Sequence, residues 1–292
     1  MNRPRLVDLH THSTASDGSY PPAEVVRLAA SRKLAAVALT DHDTLDGLAE
    51  AQEAAKAFPD LRFVRGVEVS ARFAAGTLHL LGFAFDPASP RLRELLERLR
   101  SARNERNQKM IARLRQMGLD IRLAEALAVA ARDRVPDGNV VVGRPHVAEV
   151  LRRKGYVRTI QKAFEKYIGK DAPGYVDRER IAPREVIAAI HDGGGAAVVA
   201  HPSQLAYQNH AQLERMVRGL IHDGIDGIEV YHGDHTASQT RLYLDLARRL
   251  DLGITGGSDF HGPPKPDAAL GRPRVPLSVI PPRFAERLFA GT

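Results

Sequence analysis

Short apolar runs alternate with amphipathic stretches along most of the chain. This alternation is typical of βα units around a parallel sheet, because each amphipathic helix returns the chain to the start of the next strand. The amphipathic stretches predict helices at Pro22–Arg32, Leu45–Ala57, Pro183–His191, Ala211–His222 and Ser238–Leu250. The apolar runs predict strands at Leu6–Leu9, Ala35–Leu39, Phe63–Val67, Leu78–Phe83, Ala196–Ala200, Gly227–Val230 and Gly253–Thr255.

The alternation stops between about residues 90 and 180. Leu92–Gln116 is a long, heavily charged helical stretch, and helical patterns follow at Leu123–Arg132, Pro145–Lys154 and Thr159–Tyr167. No convincing strand pattern separates them. We therefore predict one α/β barrel formed by residues 1–95 and 180–292, with residues 96–179 as a helical insertion that covers the active site.

The composition is that of a soluble globular enzyme, with 43% hydrophobic and 26% charged residues among 292. The chain has no apolar stretch long enough to cross a membrane and no recognisable signal peptide, so we expect a cytoplasmic protein. No feature of the sequence indicates an obligate protein partner. Cysteine is absent, which excludes disulfides and thiolate chemistry and leaves His, Asp and Glu to bind any metal. The net charge of +7 suits anionic partners, although Arg-rich helix surfaces alone would also produce it.

Histidines and carboxylates stand in or just after most predicted strands. In a β/α barrel the parallel strands end on one face, so such side chains converge although they are far apart in sequence. His10 and His12, two residues apart, point to the same face and can share a cation. Imidazole and carboxylate donors without thiolate suit Mn²⁺, Fe²⁺ or Zn²⁺. These strand-associated groups are His10, His12, His42, Glu68, His79, His201, His232, Asp259 and His261.

The motifs that contain these groups resemble those of the polymerase and histidinol phosphatase (PHP) family. They are Asp8-Leu9-His10-Thr11-His12 with Asp17-Gly18, then Thr40-Asp41-His42-Asp43, Gly66-Val67-Glu68, Ala200-His201-Pro202 and Ser258-Asp259-Phe260-His261. The resemblance covers nearly the whole predicted barrel, and it implies a distorted (β/α)7 barrel that binds three divalent cations.

The resemblance also implies a ligand set for each cation. An oxygen ligand at Asp17, where some relatives have histidine, favours Mn²⁺ over Zn²⁺, and Fe²⁺ also suits the donors. The first cation would be bound by His10, His12, Glu68 and Asp259, the second by Glu68, His79 and His201, and the third by Asp17, His42 and His261.

A metal-dependent mechanism follows from this ligand set. A hydroxide that bridges two cations would attack phosphorus in line, at a centre held by Glu68 and Asp259. His232 or His235 would protonate the leaving oxygen, although His232 could instead contact the substrate phosphate. Asp41 and Asp43 are expected to orient His42 or its neighbours.

The insertion is expected to bind the substrate. Gly143-Arg144-Pro145-His146, continuing to Tyr167-Ile168-Gly169-Lys170, resembles the insertion of a PHP branch that includes 3′,5′-nucleotide bisphosphate phosphatases and a 5′→3′ exoribonuclease. Cationic and polar side chains there would hold phosphate. The candidates are Arg134, Arg144, His146, Lys170 and Tyr175, together with Ser70 beyond Glu68.

We therefore expect a phosphatase that removes the 3′-phosphate of nucleoside 3′,5′-bisphosphates, such as pAp, to give AMP and phosphate. The alternative is a 5′→3′ exoribonuclease on short 5′-phosphorylated oligonucleotides. Aromatic residues make up only 5% of the chain, which leaves few stacking platforms and favours short substrates. The insertion disfavours a histidinol phosphate phosphatase, and the complete set of ligand positions disfavours a non-catalytic PHP module.

Overall fold

The predicted strands form one eight-stranded sheet in the computed structural model, which describes residues 4–131, 140–178, 180–263 and 265–290. Each of the seven predicted apolar runs is a strand, and a two-residue strand near the carboxyl terminus is additional. The strands are β1 Leu6–Asp8, β2 Ala36–Leu39, β3 Arg62–Ala71, β4 Leu78–Phe83, β5 Ala196–Val199, β6 Gly227–His232, β7 Gly253–Gly257 and β8 Val275–Pro276.

The spatial order of the strands is β7-β6-β5-β4-β3-β2-β1-β8. Strand β8 pairs antiparallel with β1 at one edge. Beyond β1, the backbone N–H of Leu9 donates to the carbonyl of Gly256 at 3.1 Å, and that of His12 donates to the carbonyl of Phe260 at 2.9 Å. These bonds join the ends of β1 and β7, so the sheet is a nearly closed barrel.

Strand β4 corrects the expectation of a wholly parallel sheet, because it runs antiparallel to both β3 and β5. Only residues 72–77 connect β3 to β4, and parallel neighbours need a crossover of about a dozen residues or more. The reversal places the beginning of β4 beside the carboxyl end of β3, with His79 opposite Ser70. His79 therefore lies at the same edge as the residues that follow the parallel strands.

The helices lie close to the predicted segments, and proline at the first turn starts several of them, as at Pro22 and Pro183. A seven-residue helix near the carboxyl terminus, Pro282–Leu288, was not predicted. No helix in the described ranges has the length and apolarity needed to cross a bilayer. The helices are α1 Pro22–Ser31, α2 Leu48–Ala55, α3 Pro90–Gln116, α4 Leu123–Ala131, α5 Arg144–Arg153, α6 Ile160–Ala163 with a π-helix Phe164–Ile168, α7 Pro183–Asp192, α8 His210–His222, α9 Ala237–Arg249 and α10 Pro282–Leu288.

Alternate side chains of the barrel strands belong to different cores. Val37 and Leu39 pack with residues of α1 and α2 on the outside of the barrel. Ala36 and Ala38 point the other way and pack inside it, in a cluster that includes Phe284 of α10. Successive side chains of a strand point to opposite faces of the sheet, which produces this division. Both cores lie along the strands, and polar side chains occupy the mouth of the barrel.

The helical region between β4 and β5 has an apolar core of its own. The second half of α3 contributes Met110 and Leu114, which pack with Val147 and Leu151 of α5. The first half of α3, including Leu99, packs instead in the outer core of the barrel. The boundaries at residues 95 and 180 stay predictions, since α3 runs through the first of them.

The close approach of β7 to β1 generates a stability prediction. A Cβ at Gly257 would lie 2.4 Å from both the Cβ and the backbone N of His10, so the two strand ends would have to separate. We expect Gly257→Ala to lower the free energy of unfolding by roughly 1–3 kcal/mol, measured by urea denaturation. Gly219→Ala is the matched control, because an added Cβ on this exposed position of α8 meets nothing within 4 Å. Equal effects of the two substitutions would contradict the argument.

Candidate metal centre

Four side chains from three parts of the chain meet at the barrel mouth. The Nε2 atoms of His10 and His12 lie 3.3 and 3.2 Å from Glu68 Oε2. The same two atoms lie 3.4 and 3.2 Å from Asp259 Oδ1. All four residues are buried, and their ligand atoms lie within 4.8 Å of one another. The resemblance to the PHP family implied this group as the ligands of the first cation.

Glu68 faces a second group with its other oxygen. Its Oε1 atom lies 2.6 Å from His79 Nδ1 and 2.9 Å from His201 Nε2. Its Oε2 atom lies 3.1 Å from His42 Nδ1 in addition to the two histidines of the first group. Glu68 thus lies between two groups of nitrogen donors, as a carboxylate that bridges two cations must.

A third group lies on the other side of His12. His12, Asp17, His42 and His261 place one ligand atom each within 4.8 Å of one another. His261 Nε2 is 3.2 Å from Asp17 Oδ1, and the rings of His12 and His261 stack with centroids 4.1 Å apart. The structure therefore brings together the side chains assigned to the third cation and adds His12 to them.

Unsatisfied buried atoms test whether these residues fit metal ions. Several side-chain nitrogen and oxygen atoms of the centre have no hydrogen-bond partner among the described residues. Each such buried atom lowers the stability of the fold by about 1–3 kcal/mol if it stays unsatisfied. They approach one another at 3.1–3.4 Å without hydrogen-bond geometry, which is expected of donors arranged around a shared cation. Nitrogen and carboxylate oxygen donors of this kind fit divalent transition metals. The unpartnered atoms include His10 Nε2, His12 Nδ1 and Nε2, His42 Nδ1 and Glu68 Oε2.

Two carboxylates of the site have lowered pKa values. Burial alone would raise the pKa of Glu68, but the charges of His42 and His79 hold it well below its ordinary value. Burial likewise opposes ionisation of Asp259, and His10 and His261 hold its pKa well below normal. Both groups are therefore acceptors, as metal ligands must be.

Three of the six residues other than glycine with a positive φ in the described chain lie at or next to the proposed ligands. His201, Asp43 and Asp259 have φ values of +23°, +55° and +54°. Left-handed backbone at residues other than glycine costs about 1–3 kcal/mol each and persists where the surrounding structure imposes it. His201 and Asp259 each lie two residues beyond the end of a barrel strand, so the strained backbone helps to orient these two proposed ligands.

Asp41 and Asp43 contact neighbours of the ligands rather than His42 itself. Asp41 accepts hydrogen bonds from the Ser13 hydroxyl and the Ser16 hydroxyl, both at 2.6 Å, and so fixes the loop that leads to Asp17. Asp43 forms ion pairs with Arg103 and Arg178. Although burial opposes it, these two charges hold the pKa of Asp43 well below its ordinary value.

The two candidate proton donors differ in geometry. His232 Nδ1 accepts a hydrogen bond from the Asp234 N–H at 3.0 Å, so a neutral ring carries its proton on Nε2, 3.5 Å from Asp259 Oδ2. His235 must instead carry its proton on Nδ1, because that atom donates to the Val230 carbonyl. Burial lowers the pKa of His235 to about 4. The geometry therefore favours His232.

Two charged side chains near the centre were missed by the sequence analysis. Glu229, in β6, lies 3.1 Å from His10 Nδ1, and Lys265 Nζ lies 2.7 Å from Asp259 Oδ2. Glu229 could have been found, because it interrupts an apolar run near a strand end as Glu68 does. Lys265 follows no strand, and nothing in its sequence context distinguishes it from a surface lysine.

A cavity of about 230 Å³ opens beside Asp17, His42 and His79, between the barrel mouth and the helical region. Of the predicted substrate residues, Ser70, Arg144 and Tyr175 line it. The guanidinium of Arg144 lies over the rings of Phe164 and Tyr175, 5.6 Å from each centroid. The sequence analysis missed most of the cationic lining, which consists of Arg103, Arg106, Arg144, Arg178 and Arg180.

The other predicted substrate residues lie elsewhere. His146 is buried, and its Nδ1 accepts a hydrogen bond from the Gly143 N–H at 3.0 Å at the start of α5, so that nitrogen is occupied by the fold. Lys170 is exposed in the turn after the π-helix and does not line the cavity. Arg134 lies outside the described residues.

Arg106 differs from the other arginines of the cavity, each of which has an ion pair or, for Arg144, aromatic contacts. Its side chain is buried, with the residue only 6% exposed, and in the part of the chain that the structure describes it forms no ion pair. Burial and the charges of neighbouring arginines lower the pKa of Arg106 to about 8. A buried cation without a partner is strongly unfavourable, so the cavity is built for an anionic ligand.

Comparisons with known proteins show the family of the chain. A family model described as the PHP domain matches residues 8–230. A 3′,5′-nucleoside bisphosphate phosphatase from Chromobacterium violaceum is 37% identical over 88% of this chain and 87% of its own. A 5′-3′ exoribonuclease from Haemophilus influenzae is 35% identical over 88% of this chain and 90% of its own.

Solved structures extend the agreement to the fold. A candidate metal-dependent phosphoesterase from Bifidobacterium adolescentis superposes with a TM-score of 0.84, at 31% identity over 95% of each chain. An amidohydrolase from Chromobacterium violaceum, solved with sulfate and no metal, has a TM-score of 0.80 at 36% identity over 88% of each chain. Together with the geometry of the centre, these matches establish that the chain belongs to the PHP family and is a metal-dependent phosphoesterase.

Proposed function

We propose that the protein removes the 3′-phosphate of nucleoside 3′,5′-bisphosphates and converts pAp to AMP and inorganic phosphate. The observation that carries the proposal is Arg106, a buried cation without an anionic partner in the described chain, in a cavity that opens onto the metal centre. A substrate with two phosphates would satisfy both features, because one phosphate would lie at the centre and the other among the arginines. The similarity to a phosphatase of this specificity supports the same conclusion.

We infer three divalent cations, with Mn²⁺ preferred over Zn²⁺ and Fe²⁺. Bound cations would lower the pKa of a coordinated water and stabilise charge on phosphoryl oxygens. Glu68 offers one oxygen to each of two groups and so fixes their separation. The proposed ligand sets are His10, His12, Glu68 and Asp259, then Glu68, His79 and His201, then Asp17, His42 and His261.

The chain's own side chains supply the remaining steps. His232 holds a proton on Nε2 that faces the centre, so it would protonate the leaving 3′-oxygen. Asp43 fixes Arg103 and Arg178, which would then bind the second phosphate without reorganisation. Ser70 and Tyr175 line the same cavity and would donate hydrogen bonds to the substrate. Arg134 and Lys170 stay predictions, as does the cytoplasmic location.

The size of the cavity supports a compact substrate. Its volume of about 230 Å³ is below the range of roughly 300–1,000 Å³ that is typical of pockets for drug-sized ligands. The phosphate and ribose of one nucleotide are a better match for this space than several nucleotides.

A second groove favours the exoribonuclease alternative. It has a volume of about 1,090 Å³, meets the arginine cavity at Asp17 and Pro145, and has Arg152, Arg153 and Arg158 in its wall. The remainder of a short RNA strand would fit along it while the first phosphodiester lies at the centre. The similarity to proteins named as 5′-3′ exoribonucleases also supports this activity.

The role of Arg106 can be tested with two substrates. We expect Arg106→Met to lower kcat/KM for pAp by roughly 10- to 150-fold, since a hydrogen bond to a charged group is worth about 1.5–3 kcal/mol. Hydrolysis of adenosine 3′-monophosphate, which lacks the second phosphate, should be unaffected. Phosphate release measures both. Arg218→Met, on the exposed face of α8, is the control, and an equal loss on both substrates would contradict the assignment.

Removal of the cations should destabilise the fold. A cation present at 100 times its dissociation constant stabilises the folded state by about 2.7 kcal/mol per site, so chelation should lower the melting temperature and abolish phosphate release. Calorimetry with excess EDTA measures the shift, and EDTA saturated with Mn²⁺ is the control. Turnover by protein that is shown by elemental analysis to be metal-free would rule out the mechanism.

Arg158→Ala separates the two activities. If the groove binds RNA, this substitution should weaken cleavage of a 5′-phosphorylated trinucleotide and reduce the salt dependence of binding by about 0.7 in log–log slope. It should leave pAp hydrolysis unchanged, because Arg158 lies outside the arginine cavity. If this substitution does not affect cleavage of the trinucleotide, the groove does not bind the RNA.

A further inference from the structure

Glu229 is a buried charged group to which the proposed mechanism gives no role. Its exposure is 0%, and it lies in β6 behind the metal centre. Its Oε1 and Oε2 atoms lie 3.1 and 3.3 Å from His10 Nδ1. Its Oε2 atom also accepts a hydrogen bond from the backbone N–H of His201 at 2.7 Å. Burying a carboxylate costs free energy unless hydrogen bonds compensate for it, so these two contacts indicate that Glu229 has a role.

The contact with His10 determines which ring nitrogen carries the proton. An ionised carboxylate only accepts hydrogen bonds, so His10 must hold its proton on Nδ1. The lone pair is then on Nε2, the atom that faces Glu68 Oε2 and Asp259 Oδ1. A hydrogen bond on the far nitrogen of a histidine commonly orients a metal ligand in this way.

The contact with His201 holds its backbone. His201 has a φ of +23°, far from the conformations that residues other than glycine prefer. The bond from its N–H to Glu229 stabilises this conformation, and the ring then places Nε2 2.9 Å from Glu68 Oε1. A single carboxylate thus contacts one residue of the first group and one of the second.

We propose that Glu229 is a positioning residue that sets the tautomer of His10 and holds the strained backbone of His201, so that two cation groups depend on one buried carboxylate. The inference rests on the proposed metal centre. It does not require that the substrate be a nucleoside bisphosphate.

Glutamine at this position is a strict test because it keeps the shape and loses one acceptor. If the amide oxygen accepts from the His201 N–H, the NH₂ group faces His10 Nδ1 and drives the proton to Nε2, where the lone pair is needed. If the amide is flipped, its NH₂ group opposes the His201 N–H, donor against donor. Either orientation damages one of the two contacts.

Thr255 provides a matched control. It lies directly opposite Glu229 in the pairing of β6 with β7 and is fully buried. Its hydroxyl has no hydrogen-bond partner among the residues described, so Thr255→Val removes a buried polar atom beside Glu229 without removing a contact to a ligand.

The experiment measures Zn²⁺ binding by competition with a chelator, using metal-free wild type, Glu229→Gln and Thr255→Val. We expect Glu229→Gln to bind Zn²⁺ 10- to 100-fold more weakly, the usual effect of removing such a partner, and Thr255→Val to bind like wild type. Long-range ¹H–¹⁵N spectra of the Zn²⁺-loaded wild type should show His10 protonated on Nδ1. Urea denaturation of the metal-free proteins should show that Glu229→Gln remains folded.

Three results would overturn the proposal. Glu229→Gln could bind Zn²⁺ as tightly as wild type, or it could lose a single ion while the other sites keep their affinity, which would make Glu229 a direct ligand. The wild-type spectrum could show His10 protonated on Nε2, a result that decides the question even if the variant does not fold. If wild type binds Zn²⁺ as expected but does not hydrolyse pAp, the proposed function fails and the role of Glu229 stands.

Discussion

The structure depends on a concentration of ionisable side chains that is unstable by itself. Histidine nitrogens and carboxylate oxygens lie 3.1–3.4 Å apart in a buried space, and several of them have no hydrogen-bond partner in the described chain. The surrounding barrel tolerates this arrangement because its inner and outer cores hold the strand ends in place. Divalent cations would supply the missing positive charge. The apolar cores and the bound cations would therefore stabilise the polar mouth of the barrel together.

The arginine-lined cavity has the opposite imbalance, an excess of positive charge. Five arginines line it, whereas Asp43 pairs with Arg103 and Arg178, and Asp177 pairs with Arg180. The remaining positive charge lies in a cavity that also reaches Asp17, His42 and His79 of the metal centre. A phosphorylated ligand would therefore be attracted to both ends of the site, which agrees with the phosphoesterase activity of the family.

Much of the barrel and of the metal centre could be predicted from the sequence. The apolar runs indicate the strands, and polar side chains in or just after such runs can then be recognised as candidate ligands. Strand ends dictated the positions of His10, Glu68 and Asp259, and the structure brings them together. The direction of β4 was missed, although the short link from β3 already excludes a parallel neighbour. Arg106 and Glu229 were also missed, since the burial of a charge depends on long-range packing that no local pattern records.

The ion pair between Asp43 and Arg103 joins two parts of the molecule that are built differently. Asp43 directly follows His42 at the barrel rim, whereas Arg103 belongs to α3, which continues into the separately packed helical region. Two arginines of the cavity, Arg103 and Arg178, are thereby anchored to the rim. Under the proposed function, this anchoring would set the distance between the two phosphates of a substrate that the site accepts.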